Sequence, residues 1–245
     1  MDLRNLWTVA IKDFSIFIKK KSIIYSVILF PLLVSIGLPS VIGFADTRRR
    51  GIPIVALPPM LNAFSFFFII GAASLPTAIA SYSLVGEKVE KSLEPLLATP
   101  VTDSEILFGK SLAAFLLPLA AIYAGSGIFM TLIDRLTYSR LGYLYFPNWN
   151  MTVLLLAVAP LTCILSVEAN VIISSRVNDV RSAQQLGGIM VLPFAGIYVA
   201  GEIGRISLET NNLLIISAVL LFVNAILFFV SRSTFRREEI LTKWK

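Results

Sequence analysis

The chain has 245 residues, of which 56% are hydrophobic and only 15% charged, and its formal net charge is +6. A soluble domain carries about 25% charged residues, so this composition indicates an integral membrane protein whose basic residues face a lipid surface rather than nucleic acid. The sequence contains no histidine and a single cysteine, which excludes histidine-ligated metal sites, Ser-His-Asp catalysis and an intrachain disulfide.

The first 21 residues predict an amphipathic helix rather than a membrane span. Its apolar residues recur at steps of three and four, at Leu3, Leu6, Trp7, Ala10, Ile11, Phe14 and Ile18. Its polar residues fall on the other side, at Arg4, Asn5, Thr8, Lys12, Asp13 and Lys19. We interpret it as an interfacial helix on the inner membrane surface. The alternative is a solvated helical tail, which the aromatic residues disfavour.

Six apolar runs are long enough, or nearly so, to cross a bilayer, which requires about 20 residues per helix. They are Ser22–Phe44, Leu57–Val85, Ile106–Ile133, Met151–Ile173, Leu186–Ala200 and Leu213–Val230. The fifth is the shortest, whereas the second and third exceed the bilayer and are expected to tilt or to extend beyond it. We therefore predict an all-α membrane protein with one transmembrane domain over residues 1–245. It consists of an interfacial helix (1–21), a six-helix bundle (22–232) and a charged tail (233–245).

The basic residues predict the orientation of the bundle. An even number of spans places both termini on one side, and most lysines and arginines outside the spans fall on that side. The run Arg48–Arg50 opposes this assignment, but Lys19–Lys21 flank the same first span on its other side. The positive-inside rule therefore predicts a multi-pass protein of the cell membrane with both termini in the cytoplasm.

Prolines lie inside the first five predicted spans, at Pro31, Pro39, Pro76, Pro118, Pro160 and Pro193. Each removes a helix hydrogen bond and favours a bend. Two interpretations remain open: hinges for gating, or ordinary packing, since proline is frequent in membrane helices. Ala121 and Gly125, four residues apart, would let two helices approach closely.

The connection between spans three and four, residues 134–150, is rich in aromatic side chains. They are Tyr138, Tyr143, Tyr145, Phe146 and Trp149. We interpret the cluster as an aromatic belt at the lipid interface. Ligand binding is the alternative.

The connection between spans two and three is more patterned than a simple loop. It reads GEKVEKSLEPLLATPVTDSEILFGK, from Gly86 to Lys110. Ser92 caps a short helix with Pro95 in its first turn, and Pro100 ends it. The leucines on the apolar face of this helix are Leu93, Leu96 and Leu97. Residues Thr102–Glu105 then form a capping box that begins the next helix. The pattern predicts a rigid amphipathic elbow on the cytoplasmic side, and an interfacial connector is the plainer alternative.

This segment resembles the cytoplasmic signature of ABC-2 type permeases, the membrane subunits of a class of ATP-binding-cassette exporters. The matching residues are Glu87, Glu90, Ser92, Leu93, Glu94, Leu96, Leu97, Pro100, Glu105, Ile106, Gly109 and Lys110. A mild departure is Lys91-Ser92, where the family often has Gly-Thr. Residues 174–185 resemble the second cytoplasmic loop of such permeases, and residues 235–245 resemble the charged tail of some members.

The resemblance implies a half-transporter rather than an enzyme. In that family the leader is an elbow helix, and the short helix is a coupling helix that docks on a separate ATPase subunit. The implied coupling residues are Glu87, Glu90, Ser92, Leu93, Glu94, Leu96, Leu97 and Pro100. The implied partners are two ATPase copies, which carry ATP and magnesium, and a second permease copy in a homodimer or related heterodimer. The sequence agrees in one respect, because it contains no phosphate-binding loop of the GxxxxGK[ST] type. Its own cofactor requirement is therefore expected to be none.

Glu168 is the one acidic residue deep within a predicted span. A charge there is costly, so a role in a translocation pathway is the first hypothesis, and a protonated, hydrogen-bonded carboxyl is the second. Asn170, Asn224 and Gln185 are expected to hydrogen-bond between helices. Two other classes remain as alternatives: an ATP-independent ion-coupled carrier or channel, and an integral-membrane enzyme. The first would favour more intramembrane acids, and the second a cluster of catalytic groups.

Overall fold

The structure, a computed structural model, describes residues 3–47, 52–86 and 102–234, and this part of the chain is helical without β-strands. Short 3₁₀ or π segments adjoin the second and fourth spans at Ile54–Ala56, Tyr82–Gly86 and Leu154–Val158. The α-helices are α1 (Leu3–Lys19), α2 (Lys21–Thr47), α3 (Leu57–Ser81), α4 (Asp103–Leu141), α5 (Trp149–Val153), α6 (Ala159–Arg176), α7 (Val180–Gly188), α8 (Val191–Glu202) and α9 (Thr210–Thr234).

All six predicted membrane spans are confirmed within the described residues. By length and apolar composition the spans are Lys21–Ala45, Ile54–Ser81, Ser104–Leu141, Trp149–Arg176, Val180–Glu202 and Thr210–Ser231, numbered 1 to 6 below. Helix α4 has 39 residues, so it is about 58 Å long at 1.5 Å per residue and exceeds the roughly 30 Å hydrocarbon core. It therefore extends beyond the lipid or tilts strongly.

Spans 2 and 4 form the centre of the bundle. Helix α3 packs against α6, α4 and α8, and helix α6 also packs against α9. Large, fully buried side chains of span 2 fill the core around it: Phe66 stacks on Tyr198 of span 5, and Phe68 packs edge-on against Phe129 of span 3. Spans 5 and 6 lie at the periphery and expose long apolar faces. Spans 2 and 4 are thus the two most buried spans of the described residues.

The helices continue without a break through Pro31, Pro39, Pro76 and Pro118. Helix irregularity accompanies only Pro160 and Pro193. A π-helical segment, Leu154–Val158, precedes Pro160 directly. Near Pro193, which has no N–H to donate, span 5 breaks between α7 and α8. Four of the six prolines are therefore accommodated within continuous helices.

The aromatic connection between spans 3 and 4 is a packed structure in part. Two backbone amides, of Tyr145 and Phe146, donate to the Asp134 carboxylate at 2.8 and 2.9 Å. The Tyr145 hydroxyl lies 2.9 Å from Asn62 Oδ1, and burial raises the pKa of its phenol to about 12. Phe146 is buried, whereas Tyr138, Tyr143 and Trp149 are exposed. Only the exposed three suit the aromatic belt that the sequence predicts.

Candidate coupling region and intramembrane polar groups

Helix α1 lies along the end of span 2 and the start of span 3 and divides into two faces. The face built from Val9, Ala10 and Phe17 is buried against the bundle. Most of the apolar face predicted from the sequence is exposed, since Trp7, Ile11, Phe14 and Ile18 are between 36% and 54% exposed, whereas Ala10 of that predicted face is buried. An exposed apolar face agrees with an interfacial position. The expectation that Asp13 lies on the water-facing side is wrong, because Asp13 is only 2% exposed.

Asp13 forms a buried ion pair with Lys110. The Lys110 Nζ atom lies 3.2 Å from Asp13 Oδ2 and 3.4 Å from Oδ1, and both side chains are 2% exposed. Ser83 completes the group: its hydroxyl donates to Asp13 Oδ2 and its carbonyl accepts from Lys110 Nζ at 3.2 Å. Burying both charges is tolerable because each one has several polar partners. The group joins α1, the π-helical end of span 2 and the beginning of span 3.

Close packing reinforces this junction. A Cβ atom at Gly109 would lie 2.8 Å from the Leu6 carbonyl oxygen and 2.8 Å from Val9 Cβ. Glycine at this position therefore lets α1 lie directly on span 3. The Phe17 side chain is buried with Ile79 and Ala113 in a small apolar cluster between α1 and the two spans.

A cation–π contact adds a further link at the same end. Lys20 Nζ lies 3.5 Å from the centre of the Tyr82 ring. Lys20 joins α1 to span 1, and Tyr82 begins the π-helical segment that ends span 2. Side chains of α1 and of its junction with α2 thereby connect the start of span 1, the end of span 2 and the start of span 3.

The predicted capping box at the start of span 3 is confirmed. Thr102 Oγ1 accepts from the Glu105 amide at 3.4 Å, and the Thr102 amide donates to Glu105 Oε2 at 3.0 Å. The preceding residues, which carry the predicted coupling helix, lie outside the described part of the chain. They include the candidate site residues Glu87, Glu90, Ser92, Leu93, Glu94, Leu96, Leu97 and Pro100. The structure describes the chain on either side of this segment, up to Gly86 and again from Thr102.

A buried hydrogen-bond network joins the end of span 2 to span 4. Asn170 Nδ2 donates to Thr77 Oγ1 at 3.1 Å and to the Ser166 carbonyl at 2.7 Å. Its Oδ1 atom accepts from Ser81 at 3.1 Å. Asn170 is fully buried, so the prediction that it bonds between helices is confirmed, and its satisfied amide fixes the register of the two central spans.

Glu168 lines a cavity of about 340 Å³ between spans 3, 4 and 6. The walls are mostly apolar and include Leu107, Phe115 and Phe228, with Ser111 and Ser231 as hydroxyl groups. Glu168 is half-buried, and among the described residues no group hydrogen-bonds its buried Oε2 atom. A carboxyl group with spare hydrogen-bonding capacity in an apolar cavity is suited to accept from a donor that enters the cavity.

A family model described as ABC-2 family transporter protein matches residues 7–244, nearly the whole chain. The chain belongs to the ABC-2 transporter family. A search of curated proteins found no matching relative. The permease is accordingly a multi-pass membrane component of a transporter, and members of this family typically work with an ATPase subunit.

Residues 174–185, which resemble the second cytoplasmic loop of such permeases, cover the end of span 4 and the start of span 5. Helix α6 ends at Arg176, and Asp179 caps α7 by accepting from the Ser182 amide at 3.0 Å. The backbone N–H of Ser182, followed by its hydroxyl and the nearby Arg181, holds the pKa of the Asp179 carboxyl below its usual value. Asp179 therefore stays ionised at neutral pH and caps α7 at the same end of the bundle as α1.

Sequence reasoning placed Lys110 in the family motif but missed its partners in the permease. Asp13 looked like one polar residue among several on α1, and Ser83 carried no signal at all. A usable signal was present: Asp13 lies four residues before Phe17 and three after Ala10, so it shares their helical face. The sequence also predicts interhelical hydrogen bonds for Asn224 and Gln185. The first is confirmed, because the Asn224 side-chain amide donates to the Leu161 carbonyl at 2.9 Å, whereas Gln185 is exposed.

Proposed function

We propose that this permease forms the translocation pathway of an ATP-driven exporter and is operated by two separate ATPase subunits. The observation that supports this proposal most directly is the family match over residues 7–244, which includes the segment 87–101. The absence of a phosphate-binding loop from the sequence supports a division of labour in which ATP and magnesium bind to the partner. A second permease copy completes the assembly. Both termini and the segment 87–101 face the cytoplasm in this proposal.

The proposed mechanism is a bundle with two arrangements whose balance is set by the nucleotide state of the ATPase. The segment 87–101 acts as the coupling helix, with Leu93, Glu94 and Leu97 among its docking residues. Closure of the ATPase pair moves this helix and thereby the inner ends of spans 2 and 3. Nucleotide can bias the bundle only if the ATPase binds its two arrangements with different affinity.

Replacing Leu93, Glu94 and Leu97 together by alanine is expected to release the ATPase from the purified permease. The measurement is purification from native membranes followed by photolabelling with 8-azido-ATP, which marks any nucleotide-binding polypeptide that is retained. The matched control is a triple alanine variant at Tyr138, Tyr143 and Leu144, which are exposed at the opposite end of the bundle. Retention of the labelled polypeptide by the Leu93, Glu94 and Leu97 variant would contradict the coupling assignment.

We also propose that Glu168 contributes to the translocation pathway through its cavity. Glu168→Gln removes the ionisable group while keeping the shape of the side chain, so we expect impaired transport with intact assembly. The readout is stimulation of ATP hydrolysis by a panel of hydrophobic amines in the reconstituted complex. Glu209→Gln makes the same change at an exposed glutamate outside this cavity, so it is the control and should respond as the wild type does. Unchanged stimulation in Glu168→Gln would remove Glu168 from the pathway.

A further inference from the structure

We propose that Asp13, Ser83 and Lys110 form a mechanical clamp that makes α1 follow the coupling segment when the ATPase closes. In this proposal Asp13 and Lys110 are positioning residues for coupling and take no part in docking the ATPase. The inference rests on the proposed function and adds a route by which motion leaves the coupling helix. It assigns a role to Gly109 and Lys110, which belong to the family-like motif but lie beyond the coupling residues.

The position of the clamp is the first argument. Ser83 lies four residues before the segment 87–101 and Lys110 nine residues after it, so the described chain on both sides of that segment contributes to one buried group. Asp13 connects this group to a helix that is distant in sequence. Any displacement of the segment therefore acts on α1 through a buried ion pair as well as along the chain.

Helix α1 is also closely packed against the neighbouring spans. Helix α1 precedes span 1 almost without interruption, since Lys20 alone separates α1 from α2. Gly109 brings the backbone of α1 against span 3, and Phe17 fills the space between α1 and spans 2 and 3. Helix α1 is thus fixed to span 1 through the chain and to spans 2 and 3 through packing. It moves with them as one rigid unit, because close-packed interiors transmit displacement rather than absorb it.

The chemistry of a buried ion pair is the third argument. If the pair served stability alone, an apolar or neutral pair of similar volume would replace it with little loss, and often with a gain. A buried charge pair instead fixes one register between its two helices, because a slip of either helix leaves a buried charge without its partner. This property allows stability and coupling to be separated by experiment.

The test uses the complete complex with its ATPase in lipid nanodiscs. Spin labels are placed at Ile11→Cys on α1 and Val55→Cys at the opposite end of span 2, both of which are exposed, in a Cys163→Ala background. Labelled permease is diluted with unlabelled permease so that distances within one chain dominate. ATP with vanadate is expected to shift this distance in the wild-type background. In the double variant Asp13→Asn/Lys110→Met, the shift should be lost while the ATPase stays bound and hydrolyses ATP.

Glycine variants provide a second test that leaves the charges unchanged. Gly109→Ala forces α1 away from span 3 and is expected to abolish the same shift. Gly127→Ala lies on the same helix, where an added Cβ meets nothing within 4 Å, and should preserve it. If the double variant does not fold, the glycine pair decides the proposal.

Two outcomes would overturn the clamp itself. One is a shift of wild-type size in Asp13→Asn/Lys110→Met or in Gly109→Ala. The other is release of the ATPase from the double variant, which would place the group in docking instead. Loss of the ATPase from the wild-type complex is distinct from both, since it would refute the proposed function on which the clamp depends.

Discussion

Lys110→Met alone is expected to destabilise the permease by about 3–5 kcal/mol, because it leaves the Asp13 carboxylate buried without its cation. The double variant Asp13→Asn/Lys110→Met should recover most of that loss, since neither remaining side chain carries a charge. The measurement is thermal unfolding followed with a thiol-reactive dye. Cys163 is the only cysteine in the sequence and is fully buried, so the dye reports unfolding without an engineered site.

The control for this prediction is Lys19→Met, which removes an exposed lysine from the same region. An exposed charge contributes about 0–1 kcal/mol, so its midpoint should remain close to that of the wild type. Equal midpoints for Lys110→Met and Lys19→Met would show that the Asp13–Lys110 pair carries no stability. If the double variant is as unstable as Lys110→Met, the loss of stability comes from replacing the Lys110 side chain itself and not from the unpaired Asp13 charge.

Gly187→Ala is expected to disrupt the contact between span 5 and the central pair of spans. An added Cβ would lie 2.3 Å from Asn170 Oδ1 and 2.6 Å from Thr77 Cγ2. Overpacking of this kind costs about 1–3 kcal/mol, and displacing Asn170 leaves buried polar groups unsatisfied at a further cost of about 1–3 kcal/mol. The expected result is a lower midpoint in the Cys163 assay and a smaller monodisperse fraction after purification.

Gly188→Ala is the matched control for Gly187→Ala. The two glycines are adjacent in α7, but a Cβ at Gly188 meets nothing within 4 Å. Both substitutions gain about 1 kcal/mol of helix propensity, so the difference between the two variants isolates the packing term. If both variants unfold at the same temperature, span 5 does not depend on this contact.

Much of the architecture could be predicted from the sequence because lipid imposes a simple rule on the chain. Every span must be apolar over about 20 residues and must satisfy its own backbone hydrogen bonds, and both requirements are local. This is why six spans could be placed, even the short fifth. The Thr102–Glu105 capping box was equally predictable, since both partners lie within four residues.

Features that depend on neighbouring helices were predicted less well. Proline removes a helix hydrogen bond locally, yet the helices continue through Pro31, Pro76 and Pro118, because neighbouring helices can stabilise a membrane helix that contains proline. The length of span 3 was underestimated for a similar reason. Its last two turns are polar, and they stay helical while Asp134 and Tyr145 fold the following connection back against the bundle.

The amino-acid sequence by itself determined the membrane class, the number of spans, the amphipathic leader and the family-like motif. These properties follow from hydrophobicity and periodicity along a single segment. Only the tertiary structure decided that Asp13 is buried, that it pairs with Lys110, and that Glu168 borders a cavity. Asp13 and Lys110 are 97 residues apart in the chain, and a hydrophobic pattern says which face of a helix is apolar but not which neighbour that helix meets. Contacts between distant segments depend on how all the helices pack together.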